Sequence, residues 1–166
     1  CIRDRYKIKG SFGHPVPVVD GKTQSSGAKA SAIVLKKEFT DVKDLLCIDY
    51  TSAYSTPSLD KLVRTFVYDR QGKGSFTVGD EFTANAPIRF ETAITTQANW
   101  KIIDDTHLLL TTGTEQMTVT IEASGKVAFT SETIEVNSPA YTRIGISLKE
   151  QSKDGYIRLT MRTKQL

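Results

Sequence analysis

Proton-transfer chemistry in this 166-residue chain has to be drawn from few side chains. The two histidines are His14 and His107. His14 lies in Gly10-Ser11-Phe12-Gly13-His14-Pro15-Val16-Pro17, between a glycine and a proline. Proline fixes its own φ and restricts the residue before it, so the backbone around His14 is constrained and the imidazole is aimed. An aimed imidazole suits proton transfer or neutralisation of a nearby anion close to neutral pH. The commoner use of a lone histidine in a β-protein is structural. His107, which follows the turn-like Asp104-Asp105-Thr106 and leads into Leu108–Leu110, reads that way. Tyr50 and Tyr54, in Asp49-Tyr50-Thr51-Ser52-Ala53-Tyr54, close a strand and bring phenols that can donate a proton. Their bland reading is a half-buried ring with a wet hydroxyl.

Other chemistries find less support. No Gly-x-Ser-x-Gly elbow is present for a serine hydrolase. Asp49, Asp69, Asp80 and Glu81 could pair for glycoside hydrolysis, but acids at strand ends are more often solvated or bound to arginine. A metal would need His14, Asp20, Asp49 and Cys47 to converge, and their spacing matches no ligand motif. The two cysteines, Cys1 and Cys47, lack the spacing of a thiolate zinc site. No metal and no cofactor are therefore expected. Cys47, in Leu45-Leu46-Cys47-Ile48, reads as a small buried hydrophobe. Arg64 falls in phase with Phe66 and Tyr68, which predicts a partly buried guanidinium, and Asp80 is the candidate partner.

The elements that would position these groups are strands. Ile88, Phe90 and Ile94 alternate with Arg89, Glu91 and Thr95, and Met117, Val119 and Ile121 alternate with Thr118, Thr120 and Glu122. The same period of two runs through Ile144, Ile146 and Leu148 and through Ile157, Leu159 and Met161. Further strands are expected at 30–36, 44–50, 62–69 and 75–78. Turn signals punctuate them at Gln71-Gly72-Lys73-Gly74, Ser124-Gly125-Lys126, Asn137-Ser138-Pro139 and Lys153-Asp154-Gly155. No stretch carries the apolar stripe of a stable helix, and 21 threonines fit pleated, half-solvated surfaces. Ten or more short strands call for a sandwich or a closed barrel, and an all-β, antiparallel, two-sheet β-sandwich with few or no helices is the favoured fold. The glycine-, proline- and serine-rich loops of the first 60 residues are where any chemistry on this scaffold is expected.

A composition of 39% hydrophobic and 25% charged residues excludes a disordered chain. The net charge of +3 is scattered and uninterrupted by aromatic motifs, so nucleic acid is not an expected partner. No apolar run approaches a membrane span. Without repeat or linker, residues 1–166 read as a single domain. The chain opens on Cys1 rather than methionine, as expected for a processed product or a piece of a longer protein. An acylated lipoprotein terminus would also begin this way.

Two stretches together resemble a known family. One is Gly10-Ser11-Phe12-Gly13-His14-Pro15-Val16-Pro17-Val18-Val19-Asp20-Gly21-Lys22-Thr23-Gln24. The other runs from Asp49-Tyr50-Thr51-Ser52-Ala53-Tyr54 through Arg64-Thr65-Phe66-Val67-Tyr68-Asp69-Arg70 to Phe76-Thr77-Val78-Gly79-Asp80-Glu81-Phe82. Over roughly residues 5–100 the chain is similar to the C-terminal β-sheet domain of heparinase II/III-like polysaccharide lyases. The resemblance implies a supersandwich-like domain that follows a helical toroid, with acidic, uronate-containing polysaccharide bound between the two. It implies cleavage by β-elimination, in which a base takes the C5 proton, a neighbouring group neutralises the uronate carboxylate and an acid protonates the leaving O4.

Carried over residue by residue, the resemblance makes His14 the histidine that reaches into the cleft. It makes Tyr54 the counterpart of a β-domain tyrosine, with Tyr50 the competing choice, and puts Gln24 on the same substrate-facing side. Some relatives hold a structural divalent metal using a second histidine; no second histidine stands near His14, so that site is not carried over. The toroid is a missing partner domain, so this chain would form one cleft wall and be inactive by itself. The implied compartment is the periplasm or cell surface of a bacterium. The alternative is a stand-alone carbohydrate-binding or structural β-sandwich module. Trp100 would be its only tryptophan platform, although a single tryptophan beside a turn is more often a core or edge residue. Arg143, Lys149, Arg158, Arg162 and Lys164 read as an ordinary solvated basic face.

Overall fold

The computed structural model describes residues 7–134 and 140–164. Cys1 and the Asn137-Ser138-Pro139 turn lie outside them. Among the described residues, twelve strands form two antiparallel sheets. The smaller contains β1 (Val18–Val19), β6 (Phe90–Thr96), β11 (Tyr141–Leu148) and β10 (Val127–Ile134), in the order β1-β6-β11-β10. The larger contains β2 (Ile33–Phe39), β3 (Lys43–Asp49), β4 (Leu59–Asp69), β5 (Ser75–Ile88), β12 (Ser152–Lys164), β9 (Glu115–Ala123), β8 (His107–Thr112) and β7 (Asn99–Asp104). Its order is β2-β3-β4-β5-β12-β9-β8-β7. The only helical pieces among the described residues are short 3-10 turns at Lys7–Lys9, Ser11–Gly13 and Thr51–Ala53. This is the all-β two-sheet sandwich that the alternating pattern predicts.

The inward phase of the central strands supplies the core, while β2, at the opposite sheet edge from β7, is exposed along its whole length. Ile88, Phe90, Ile144, Ile146, Ile157 and Leu159 are all essentially sealed from water. Phe82 on β5 stacks on Phe90 on β6 with centroids 4.5 Å apart, so this aromatic pair ties the sheets to one another. β5 is longer than its sequence signal: it runs on to Ile88, and one residue later β6 begins in the other sheet. The change of sheet therefore falls on Arg89. Asp20 fastens that corner, giving its N–H to the Arg89 carbonyl at 2.9 Å and accepting the Arg89 N–H on Oδ1 at 2.8 Å. It does so from a two-residue Asp20-Gly21 turn, φ +49° and +73°, closed by reciprocal bonds between Val19 and Lys22. That left-handed pair is the geometry aspartate–glycine favours in a tight hairpin. β7 carried no alternation in the sequence; it lies at a sheet edge with its last four residues exposed on both phases.

The outer face of the smaller sheet is covered by its own N-terminal segment. Phe12 lies 4.4 Å from the Arg143 guanidinium, and Lys7 pairs with Glu132. This corrects the expectation of a solvated basic face at one position: Arg143 is only 2% exposed, because Phe12 and the chain up to Val16 close over it. Lys149, Arg158 and Arg162 are exposed, while the Lys164 side chain lies outside the described atoms. Cys47 also departs from expectation. It is half-buried, and its register with Thr65 puts it on the outer phase of the larger sheet, with the Thr65 hydroxyl 3.5 Å from its sulfur.

Close packing makes one glycine of the smaller sheet indispensable. A Cβ on Gly145 would stand 2.5 Å from Thr130 Oγ1 and 2.8 Å from the Glu91 carboxylate. Overpacking of this kind costs about 1–3 kcal/mol. Gly145→Ala is therefore expected to lower the unfolding free energy by about that amount in urea denaturation. Thr130→Ala in the same chain should recover part of the loss; equal stability of Gly145→Ala and the parent would refute the contact.

Candidate functional site

Arg64 and Asp80 are directly opposed across β4 and β5, both on the inward phase. Arg64 Nε donates to Asp80 Oδ1 at 2.7 Å and Nη2 donates to Oδ2 at 2.8 Å, a two-pronged pair whose side chains are 8% and 1% exposed. Two hydroxyls complete the carboxylate's shell. Tyr50 Oη donates to Oδ1 at 2.6 Å, and Thr92 Oγ1, from the opposite sheet, donates to Oδ2 at 2.7 Å. A buried charge is tolerable only when it is paired and its remaining lone pairs are filled, and here both conditions hold. Burial and the Asp80 charge hold the Tyr50 phenol well above its ordinary range. The Asp80 charge and its hydrogen bonds outweigh desolvation at Arg64 and hold that guanidinium firmly protonated.

The remaining prong of Arg64 points at the loop that carries His14. Arg64 Nη1 donates to the Pro15 carbonyl at 2.7 Å. Three more side chains address the same short stretch. Tyr141 Oη donates to the Gly13 carbonyl at 2.6 Å, Tyr54 Oη to the Pro17 carbonyl at 2.8 Å, and Arg143 Nη2 lies 3.5 Å from the Val16 carbonyl. The His14 carbonyl itself accepts the Val16 N–H at 2.8 Å in a tight turn over Pro15. Prolines supply no N–H, so this loop cannot join a ladder as a strand would; its carbonyls are satisfied instead by donors reaching up from the sandwich. The backbone under the imidazole is thereby fixed from both sheets. The His14 side chain is exposed in a shallow pocket shared with Gly13, Thr95, Thr96, Gln97 and Tyr141.

Tyr50, Tyr54, Gln24 and His14 are thus joined through one construction but do not present one surface. Tyr50 and Tyr54 are 4% and 7% exposed, meet edge to face at 5.8 Å, and spend their hydroxyls inward on Asp80 and Pro17. Burial raises the Tyr54 phenol above its usual value, with the Gln24 side chain, hydrogen-bonded to it, acting the other way. Gln24 is half-buried and also receives the Ser11 hydroxyl on its carbonyl at 3.5 Å. The side chains that do share the His14 pocket, Thr95, Thr96, Gln97 and Tyr141, were not singled out in the sequence. Thr95 and Tyr141 lie on the outward phase of β6 and β11, which alternation marks without showing what lies over it; Thr96 shares the inward phase of Ile94, and Gln97 follows the strand, so neither carried such a signal. His107 opens β8 just after the Asp105-Thr106 turn, its Nδ1 donating to Asp104 Oδ1 at 3.0 Å. Trp100 is partly buried against the core.

No three His, Cys, Asp or Glu side chains converge among the described residues. The neighbours of His14 are hydroxyl, amide and phenol groups, which do not make a zinc ligand set. No helix among the described residues is long and apolar enough to cross a membrane.

No protein-family model matches this sequence, and no curated protein matches it. Solved structures do. The crystal structure of a heparinase III superposes with a TM-score of 0.74 over 98% of this chain and 25% of its own, at 17% identity. Heparan sulfate lyase HepC from Pedobacter heparinus gives 0.76 over 99% of this chain and 26% of its own, at 13% identity. A second heparinase III gene product gives 0.73 with 99% and 26% coverage, at 12% identity. At these identities the likeness is one of fold. It extends the resemblance read from residues 5–100 to nearly the whole chain, and this chain spans about a quarter of the length of the structures it matches.

Two stability experiments follow from the buried pair. Removing one partner strands the other charge, so Asp80→Ala is expected to cost about 3–5 kcal/mol in chemical denaturation. An Arg64→Met, Asp80→Leu double variant should lose far less. Because the folded chain holds the Tyr50 and Tyr54 protons above the ordinary phenol pKa of about 10, it binds more protons than the unfolded chain once pH exceeds that value. Their contribution is present below about pH 10 and is lost as pH rises beyond it. The thermal midpoint should accordingly fall between about pH 9 and 11, and less steeply in Tyr50→Phe, Tyr54→Phe; parallel slopes would refute the assignment.

Proposed function

We propose that this chain is the β-sandwich domain of a heparinase-like polysaccharide lyase, in which it forms one wall of a cleft for acidic, uronate-containing polysaccharide. The observation that carries the reading is the coincidence of two facts. The fold matches a quarter of heparinase III over almost the whole of this chain, and its one exposed, backbone-clamped histidine sits in the loop where the sequence resemblance puts the cleft histidine. The proteins so described act as heparinases by name; the activity is brought to this chain as a proposal. Its setting would be the periplasm or the surface of a bacterium.

β-Elimination from a uronate is difficult because negative charge builds on the carboxylate as the C5 proton leaves. Groups already aimed at that charge lower the barrier without reorganising. His14 would face the carboxylate and help neutralise it while a base and an acid from a facing domain move the protons. An imidazole is suited to this role because it can be charged near neutral pH and, from a clamped loop, pays little entropy to reach its position. Gln97, Thr95 and Thr96 beside it offer amide and hydroxyl partners to sugar hydroxyls. Tyr54 and Tyr50 act from beneath: with both phenols turned inward, they hold the loop and the Arg64–Asp80 pair rather than touching the polymer. A single histidine without a complete acid–base pair cannot complete the elimination, so the chain alone is expected to be inactive.

The test uses this chain and a heparan sulfate oligosaccharide. Incubation should release no unsaturated uronate, and NMR titration should perturb His14, Gln97 and Tyr141. His14→Ala is expected to weaken binding, whereas Trp100→Ala leaves it unchanged. The reverse pattern would favour a stand-alone binding module, and turnover by the isolated chain would overturn the one-wall reading. In a lyase containing both walls, His14→Ala should lower kcat by about 10²–10⁴.

A further inference from the structure

The outer face of the larger sheet carries a second feature, unrelated to the His14 loop. Three adjacent strands, β4, β5 and β12, leave a groove of about 280 Å³ whose lining includes Gly79. That size lies near the lower end of pockets that take small ligands. The pairing register sets out its floor and walls. Gly79 stands between Thr65 and Arg158; Glu81 stands between Val63 and Tyr156; Thr77 stands between Val67 and Thr160.

Gly79 is the unexpected residue. It occupies the interior of a central strand, where glycine weakens a sheet by leaving backbone freedom unopposed. Nothing in the fold requires it. Its φ is not in the left-handed region, and an added Cβ would come no nearer than 3.6 Å to Arg158, an ordinary contact. Gly145 and Gly155 differ in this respect, since a Cβ on either would collide at under 3 Å. The missing side chain at Gly79 leaves the groove free beside the Arg158 stem, where a larger residue would project.

The walls state the chemistry of an occupant. Tyr156 is 39% exposed, and its ring is steadied by the Arg158 guanidinium at 5.8 Å. Arg158 is already paired with Glu122 at 2.9 Å, with both side chains about half exposed. Glu81 is exposed and makes no salt bridge among the described residues. The groove therefore holds one shared cation and one unopposed carboxylate, a balance that repels a polyanion. The Glu81 carboxylate and the spare N–H groups of Arg158 are the partners that sugar hydroxyls use, and a phenol ring suits the apolar face of a sugar; the Thr65 and Thr77 hydroxyls, bonded to Cys47 Sγ and Thr160 Oγ1, line the floor with acceptor oxygens.

We propose that this groove is a binding site for an uncharged saccharide, seated over Gly79 against Tyr156 and held through Glu81 and Arg158. It stands apart from the proposed acidic-polymer wall: the His14 pocket lies at the margin of the smaller sheet, and the groove opens from the outer face of the larger one. The site does not depend on the lyase reading.

The experiment is NMR titration of this chain with cellohexaose, xylohexaose and maltohexaose, each to about 10 mM, beside a heparan sulfate oligosaccharide. At least one neutral oligosaccharide is expected to shift the amides of Thr65, Thr77, Gly79, Glu81, Tyr156 and Arg158. Gly79→Val fills the groove with a residue that strands favour, so it should keep the thermal midpoint while weakening that binding about tenfold or more. Tyr156→Ser, at an exposed position, should do the same and serves if Gly79→Val does not fold. No shift with any of the three, or shifts confined to the His14 pocket, would overturn the proposal. So would binding of the heparan sulfate oligosaccharide in this groove in preference to the neutral sugars, or undiminished binding by both variants.

Discussion

Asp80 is a carboxylate taken almost wholly out of water at the centre of an eight-stranded sheet, and much of the surrounding arrangement is what makes that tolerable. Its oxygens receive Arg64 twice, Tyr50 once and Thr92 once. Those donors come from β4, from Tyr50 between β3 and the following 3-10 turn, and from β6 in the opposite sheet, so satisfying one charge sets the spacing of three parts of the chain. The guanidinium that neutralises it has one prong left over, and that prong holds Pro15. Desolvation thus drives a chain of commitments that ends at the backbone beneath His14.

The loop's dependence on side-chain donors follows from its composition. A segment with prolines at 15 and 17 cannot offer a regular row of N–H groups to a neighbouring strand, yet its carbonyls lie close against the sandwich and must be met. Tyr141, Arg64, Arg143 and Tyr54 meet them from two sheets. The result separates the two tasks that tyrosine and histidine might have shared. The phenols are consumed below the loop, and the imidazole is left above it. A backbone held in this way gives a surface group a fixed direction, which is the requirement for neutralising charge that develops only in a transition state.

The sandwich also has two outer faces with different histories. The face of the smaller sheet is covered by the chain's own N-terminal segment, which buries Arg143 and leaves the His14 pocket at its margin. The face of the larger sheet is bare in its middle, where Gly79 opens the backbone between Thr65 and Arg158. The His14 pocket and the groove on the larger sheet share no side chain.

How much of this was legible before folding varies with the range of the interaction responsible. Period-two alternation, a backbone property expressed residue by residue, made most strands and their inward faces legible and favoured the two-sheet class; with Arg64 in phase with Phe66 and Tyr68, it called for a carboxylate partner, for which Asp80 was the candidate. The constrained surroundings of His14 were visible because glycine and proline act on adjacent residues. Tertiary structure alone decided that Tyr50 and Tyr54 point inward and that Arg143 is buried beneath Phe12. It alone put Thr92 on Asp80, made Thr95, Gln97 and Tyr141 the neighbours of His14, and changed β5 into β6 at Arg89. In each of these cases the partners are separated by a dozen to more than a hundred positions. Alternation tells which way a side chain faces; what it meets depends on which surface the fold brings over it, and that is fixed only when the sheets have packed.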